Sequence, residues 1–205
     1  MTPKADLKKT HSDLYGTGAA PVFVDVPALP YLMIDGTGDP DGPVYAESVG
    51  ALYGVAYAIR FALKGAGVLE YPVMPLEGLW WDADDGSFDH RADRGTWRWT
   101  MMILQPPAAA DYFAEAAATA ARKKPASPVA RVRYEEAPEE RAVQILHTGP
   151  YAEETPAIEK LLAHAAAGGA AVTGLHREIY LSNPSRTAPE KLKTLIRYAV
   201  TPGKS

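Results

Sequence analysis

The 205-residue sequence contains no cysteine. A disulfide framework, a thiolate nucleophile and a Cys-ligated metal are therefore excluded. No apolar run is long enough to span a bilayer, and the opening MTPKADLKKTHSDLYG lacks the apolar centre of a secretory leader. The expectation is a cytoplasmic protein without membrane contact. Positive charge is also scarce: 21 Lys and Arg stand against 25 Asp and Glu, a net charge of -4. Broad nucleic-acid binding normally needs a basic patch, so direct binding is not expected. The tightest basic cluster, Arg122-Lys123-Lys124, reads as a solvated helix end favoured by the helix dipole.

Common catalytic signatures are missing as well. There is no G-x-S-x-G elbow, no P-loop and no G-x-G-x-x-G. GTGDPDG has no phosphate-binding Lys and carries two aspartates, so it reads as a turn. His11, His90, His147, His164 and His176 form no H-x-x-x-H or H-E-x-x-H pair. DADDGSFDH fails calcium-loop spacing and reads as a solvated hairpin. A metal site is not expected.

What is present is a regular alternation of strands and helices. PVFVDVPALPYLMIDGTGDP is extended and ends in a turn. From Pro43, which suits a first helical turn, to Lys64 the spacing is helical; Leu52, Ala56, Ile59 and Leu63 form the core stripe, with Tyr53 and Tyr57 on a neighbouring face. YPVMPLEGLWWD and TWRWTMMILQP read as strands around a polar loop. AAADYFAEAAATAARKK is an Ala-rich helix. VARVRYEEAPEERAVQILHTGP is again extended. EETPAIEKLLAHAAA is a helix with Ile158, Leu161, Leu162 and Ala165 as its stripe, stopped by Gly168-Gly169. GLHREIYLSNP and KLKTLIRYAVTP close the chain as strands.

The order strand–helix–strand–strand occurs twice. MIDGTGDP matches QILHTGPY, so Thr37-Gly38 corresponds to Thr148-Gly149; PLEGLWW matches HREIYLS, so Glu77 corresponds to Glu178. The expected fold is α+β: duplicated strand–helix–strand–strand modules related by a pseudo-two-fold axis, with a central cleft that receives both glutamates. The expected division of this single domain is an arm over 1–20, modules over 21–106 and 125–202, and a bridging helix over 107–124.

In HREIYLSNP, Glu178 and Tyr180 face away from Ile179 and Leu181. On an exposed face this pair is ordinary; in a cavity it is a site. Trp80, Trp81, Trp97, Trp99, Tyr57 and Tyr180 lie on or beside the strands that carry Glu77 and Glu178. A carboxylate among aromatics suits either a planar cation, held by charge and stacking, or a water aimed at an apolar substrate. The same residues also suit a packed core with edge carboxylates. His176 either orients Glu178 or lies on the surface, and His147 organises its turn.

HTGPY followed by HREIYLSNPSRTAPEKLKTLIRYAV resembles the C-terminal half of the GyrI-like small-molecule-binding domains: Glu178, Tyr180, Asn183-Pro184 and Pro189-Glu190-Lys191-Leu192 fill the places of that pattern. PLEGLWW and GALYGVAYAIRFALK resemble a stand-alone branch of the family. The resemblance implies a cleft in which the residue at Glu178 either counters lipophilic cationic drugs or catalyses hydrolysis of cyclopropanoid genotoxins of the yatakemycin and CC-1065 type. It implies Glu178 as the catalytic residue, with Tyr180, Trp80, Trp99 and Tyr57 around a planar lipophilic molecule and no cofactor; Glu77 is either a second polar wall or structural, and Tyr53 either lines the cleft or fills the helix–sheet interface. A gyrase-directed inhibitor is a further alternative. The chain lacks the added helix-turn-helix pattern of the regulatory relatives.

Overall fold

The computed structural model describes residues 2–16, 18–82, 86–89 and 92–203. Part of the expected polar hairpin DADDGSFDHRADRG lies outside them. The strands are β1 (Val22–Val26), β2 (Leu29–Thr37), β3 (Leu76–Trp81), β4 (Arg98–Leu104), β5 (Arg133–Ala137), β6 (Glu140–Thr148), β7 (Ala170–Val172), β8 (His176–Tyr180) and β9 (Lys193–Pro202). The helices are α1 (Leu7–Thr10), α2 (Ser12–Tyr15), α3 (Pro43–Gly65), α4 (Phe113–Lys123) and α5 (Thr155–Ala167). Among the described residues no helix is long and apolar enough to cross a membrane.

All strand pairs are antiparallel, and the main sheet runs β1-β6-β9-β8-β3-β4-β2-β5, with β7 on the end of β9. The order is symmetric about the β8–β3 pair: β9 mirrors β4, β6 mirrors β2 and β1 mirrors β5. The duplication is therefore present as two modules joined through their central strands. Each module borrows its outer strand: β1 precedes β2 in the chain yet pairs with β6, while β5 precedes β6 yet pairs with β2.

Both long helices lie on one face of the sheet. Pro43 opens α3, and Leu52, Ala56, Ile59 and Leu63 are buried against β2 and β4 as their spacing requires. Leu161 and Ala165 of α5 pack on Val143, Ile145 and Ile196. Leu162 departs from expectation at 41% exposure. One residue beyond Leu161 turns about 100° around the helix, out of the stripe. Pro107–Tyr112 forms a 3₁₀ turn leading into α4, which packs on α3. Behind the sheet lie α1 and α2: Leu14 O accepts from Arg197 at 2.6 Å and Asp13 O from Gln144 at 2.8 Å.

The ladder fixes which residues are equivalent. In module one Asp35 pairs with Thr100, which pairs with Leu79; in module two Leu146 pairs with Leu195, which pairs with Ile179. The Thr37–Thr148 match relates Asp35 to Leu146, and the ladder then carries it to Leu79 and Ile179. The partner of Glu178 is therefore Gly78, and that of Glu77 is Arg177. A slip of one residue reverses the face of a strand residue, and the expected Glu77–Glu178 match contains that slip.

Candidate functional site

Gly78 pairs with Glu178 and Trp80 with His176 across β3–β8, so these four share the helix-bearing face with Tyr180. Glu77, Leu79, Arg177 and Ile179 point to the other face. Both faces of β8 are covered: His176, Arg177, Glu178 and Ile179 are all buried. The polar face of HREIYLSNP is thus an interior one, which is why its hydrogen bonds matter.

Glu178 Oε1 lies 2.9 Å from His176 Nε2, and His176 Nδ1 lies 2.6 Å from the Tyr198 hydroxyl on β9. Burial, then the charge of Glu178, pushes the Tyr198 phenol up, so it stays protonated and suits donation to Nδ1. Nε2 is then the N–H nitrogen and donates to Glu178. A Tyr198–His176–Glu178 chain results, with the carboxylate at its cleft end.

Aromatic rings surround that end. Trp80 Nε1 donates to the Tyr180 hydroxyl at 3.0 Å. The Tyr180 proton is left to face Glu178; burial and then the Glu178 charge hold this phenol well above the usual range. Tyr45, from the first turn of α3, lies 5.9 Å from Trp80 and meets Trp99 edge-on at 5.3 Å. Tyr151 meets Tyr180 edge-on at 5.7 Å, and burial followed by Glu178 pushes its phenol to about 12. Phe88 stacks on His176 with centroids 5.1 Å apart.

Glu154, just before α5, completes the polar floor. Its carboxyl lies 4.0 Å from His176 Nε2 and is 1% exposed. Burial first, and the charge of Glu178 second, push it far above the carboxylate range. Glu154, His176 and Glu178 each offer a ligand atom, all within 4.8 Å of one another, and they are the residues at this site suited to a cation. A cation bound by all three would displace the His176–Glu178 hydrogen bond.

Of the residues expected around Glu178, Tyr180 and Trp80 stand beside it. Trp99 is fully buried under Tyr45 and donates to Gly38 O at 3.2 Å. Tyr53 and Tyr57 meet at a tilt, centroids 6.3 Å apart, further along α3; Tyr57 is 47% exposed and stacks with Phe61, away from the polar floor. Glu77 is on the opposite face. It accepts from Arg177 at 2.6 and 3.0 Å and from the Tyr15 hydroxyl at 2.8 Å, and Arg177 also reaches Tyr31. It is a buried structural ion pair rather than a wall of the Glu178 chamber, because its strand position faces the other way. Beside it, behind the sheet, is a cavity of about 340 Å³ bordered by Arg133, Arg177, Arg197 and Glu140. Arg133 there is paired with Asp35 and Glu135, and Arg177 with Glu77 and Glu140.

Sequence reading did not find Glu154, Tyr198, Tyr45, Tyr151 or Phe88. Tyr45 lies two steps of four before Tyr53 on the same α3 ridge, with Tyr57 one step beyond, and this spacing is a usable signal. Glu154 meets Glu178 only through the fold. His147, read as a turn organiser, has Nε2 3.1 Å from Pro150 O.

The GyrI-like small molecule binding domain pattern matches residues 19–200. The fold is shared with a crystal structure of an uncharacterized conserved protein from Listeria innocua, 36% identical with a TM-score of 0.86 over 96% of this chain and 99% of that one. It is shared equally with a hydrolase from Listeria innocua, 34% identical with a TM-score of 0.86 over 97% and 100%. The EcmrR C-terminal domain, 13% identical with a TM-score of 0.55 over 89% and 97%, is similar in fold alone. No curated protein matches the sequence. A match over nearly the whole chain, together with the duplicated sheet, places it: the chain belongs to the GyrI-like small molecule binding domain family.

Proposed function

We propose that the chain is a hydrolase of flat, lipophilic electrophiles of the cyclopropanoid type, with Glu178 as the base that aims a water. The observation that carries this reading is the chain from Tyr198 through His176 to Glu178, closed by contacts of 2.6 and 2.9 Å and ending among aromatic rings. A buried carboxylate held in one orientation is what general-base catalysis needs. Likeness to a protein named as a hydrolase supports the same class.

In the proposed step, Glu178 takes a proton from water as the water oxygen bonds to the cyclopropane carbon. The carbon–carbon ring bond breaks, and its electron pair moves through the conjugated ring to the dienone oxygen. That oxygen becomes a phenolate, then gains a proton, so the sum is addition of one water. Trp80, Tyr45 and Tyr180 supply faces and edges for the flat ring system. The Tyr180 proton suits the developing negative oxygen. The step as written uses only water and protein groups.

A second reading is a binder that sequesters flat lipophilic cations. One buried negative charge inside aromatic walls favours it. The two separate with Glu178→Gln and a cyclopropanoid substrate. Hydrolysis predicts about a 10²–10⁴-fold fall in turnover with the hydrated product disappearing. Equal product with and without wild-type protein, alongside saturable dye binding lost in the variant, overturns hydrolysis and leaves the binder.

A further inference from the structure

Behind the sheet, Arg197 of β9 is 1% exposed and stands directly opposite Arg177 of β8, which is 6% exposed. Like charges set directly across two strands repel. One buried carboxylate, Glu77, serves this layer, and it is bonded to Arg177 at 2.6 Å and to the Tyr15 hydroxyl at 2.8 Å. Among the described residues Arg197 donates to neutral oxygens alone: from Nε to Gln144 Oε1 at 2.9 Å and from Nη2 to Leu14 O at 2.6 Å. Its third nitrogen, Nη1, meets no acceptor among them. The buried layer of Glu77, Arg177 and Arg197 therefore carries one positive charge in excess. An uncompensated buried charge is costly, and a bound anion would relieve it.

Both guanidinium groups border the cavity of about 340 Å³ on this face. Val26, Met33, Leu79, Met102 and Leu175 give it apolar walls. Tyr31 borders it too; its hydroxyl accepts from Arg177 at 2.8 Å, so its own proton is left to the cavity. Apolar walls with a few converging polar groups are the usual form of a small-molecule site. The more exposed groups set the charge of the ligand. Arg133 is matched by Asp35 and Glu135, and Glu140 lies 3.5 Å from Arg177. These carboxylates oppose a second negative charge. The volume equals the liquid share of about eleven waters, room for about ten non-hydrogen atoms. We propose that this rear cavity is a second ligand site for an organic monocarboxylate of one ring or a short chain. Its carboxylate lies on Arg197 and the Tyr31 hydroxyl, and its apolar body lies against Met33, Met102 and Leu175. The cavity is on the opposite face of the sheet from Glu178, so this site stands whether or not the aromatic chamber is hydrolytic.

The test is titration calorimetry of the purified protein with benzoate and octanoate, with benzamide as the neutral match and inorganic phosphate as the multiply charged one. Saturable binding of at least one carboxylate is expected, with benzamide and phosphate each weaker by about tenfold or more. Arg197→Gln removes the excess charge and should weaken carboxylate binding by a similar factor. Leu175→Trp fills the cavity from the loop between β7 and β8, away from the buried charges, and should weaken it as well. Glu178→Gln should bind the carboxylate as wild type does. No saturable binding of either carboxylate overturns the proposal, as does equal binding of benzoate and benzamide, or phosphate binding more tightly than both carboxylates. Unchanged affinity in Leu175→Trp overturns it too. Markedly tighter binding in Glu178→Gln would place the anion in the aromatic chamber and overturn the rear site. If Arg197→Gln does not fold, Leu175→Trp and the benzamide comparison decide.

Discussion

Gly78 faces Glu178 directly across the two central strands, and the two occupy equivalent positions in the duplicated modules. One module supplies the acid; the other supplies no side chain at all. The space a Cβ would take at Gly78 is filled: Trp80 Nε1 would lie 2.6 Å from it and Met101 Cε 2.7 Å. The indole that bonds Tyr180 therefore sits where it does because position 78 is empty of side chain.

Gly78→Ala is expected to displace the Trp80 indole and weaken its bond to Tyr180. Overpacking of this kind costs about 1–3 kcal/mol. Chemical denaturation followed by tryptophan fluorescence reads both effects. Wild-type stability with an unshifted emission spectrum would show that the neighbours absorb the methyl group.

The Glu77–Arg177 pair, buried on the other face, predicts a loss of stability when broken from one side. Arg177→Met leaves Glu77 with the Tyr15 hydroxyl as its remaining close partner. The expected cost is about 3–5 kcal/mol, much of it recovered when Glu77→Leu is added. Urea midpoints of the single and double variants measure this. Equal midpoints for wild type and Arg177→Met would contradict it.

Tyr198→Phe removes the hydroxyl that His176 Nδ1 meets at 2.6 Å. With about 0.5–1.5 kcal/mol at stake in a lost hydrogen bond, turnover of a cyclopropanoid should fall up to about tenfold with little change in KM. A raised KM with kcat preserved would instead assign Tyr198 to ligand binding.

Glu154 gives the fold a pH dependence with a definite sign. Its proton is held more tightly in the folded chain than in the unfolded one, chiefly through burial and then through Glu178. Below the ordinary carboxylate range both states are protonated and there is no penalty. As pH rises through that range the unfolded chain releases the proton and the folded chain keeps it. Stability then falls by up to about 1.4 kcal/mol per pH unit until the folded group ionises. Glu154→Gln lacks this effect, so its stability relative to wild type should grow with pH. Parallel stability curves for the two proteins across mildly acid to alkaline pH would refute the shift.

The strands, the two long helices and the duplication were legible because each rests on periodicity and turn chemistry: Leu52, Ala56, Ile59 and Leu63 read as a stripe and are buried as one. Strand alternation made Glu178 and Tyr180 legible as a pair on one face; whether that face is exposed or interior was open from pattern, and the family resemblance is what set Trp80 beside them. The error at Glu77 arose at the level of a single residue. Matching two glutamates by type looked natural, but the ladder aligns Glu77 with Arg177, and one position is enough to move a side chain through the sheet. Glu154 was illegible for another reason. Nothing local marks a glutamate before a helix as buried; its surroundings come from β8 and β9, strands that follow it in the chain.

The crossed outer strands have a consequence for how the chain must fold. Residues 22–26 find their partners only after residues 140–144 exist, and residues 133–137 must return to strand β2 from the first module. Neither half alone can close its own sheet: separated, β2 and β6 would each present a long unpaired edge, the usual route to aggregation. The interlacing makes each half supply the edge strand of the other, so the two halves are expected to unfold together in a single transition.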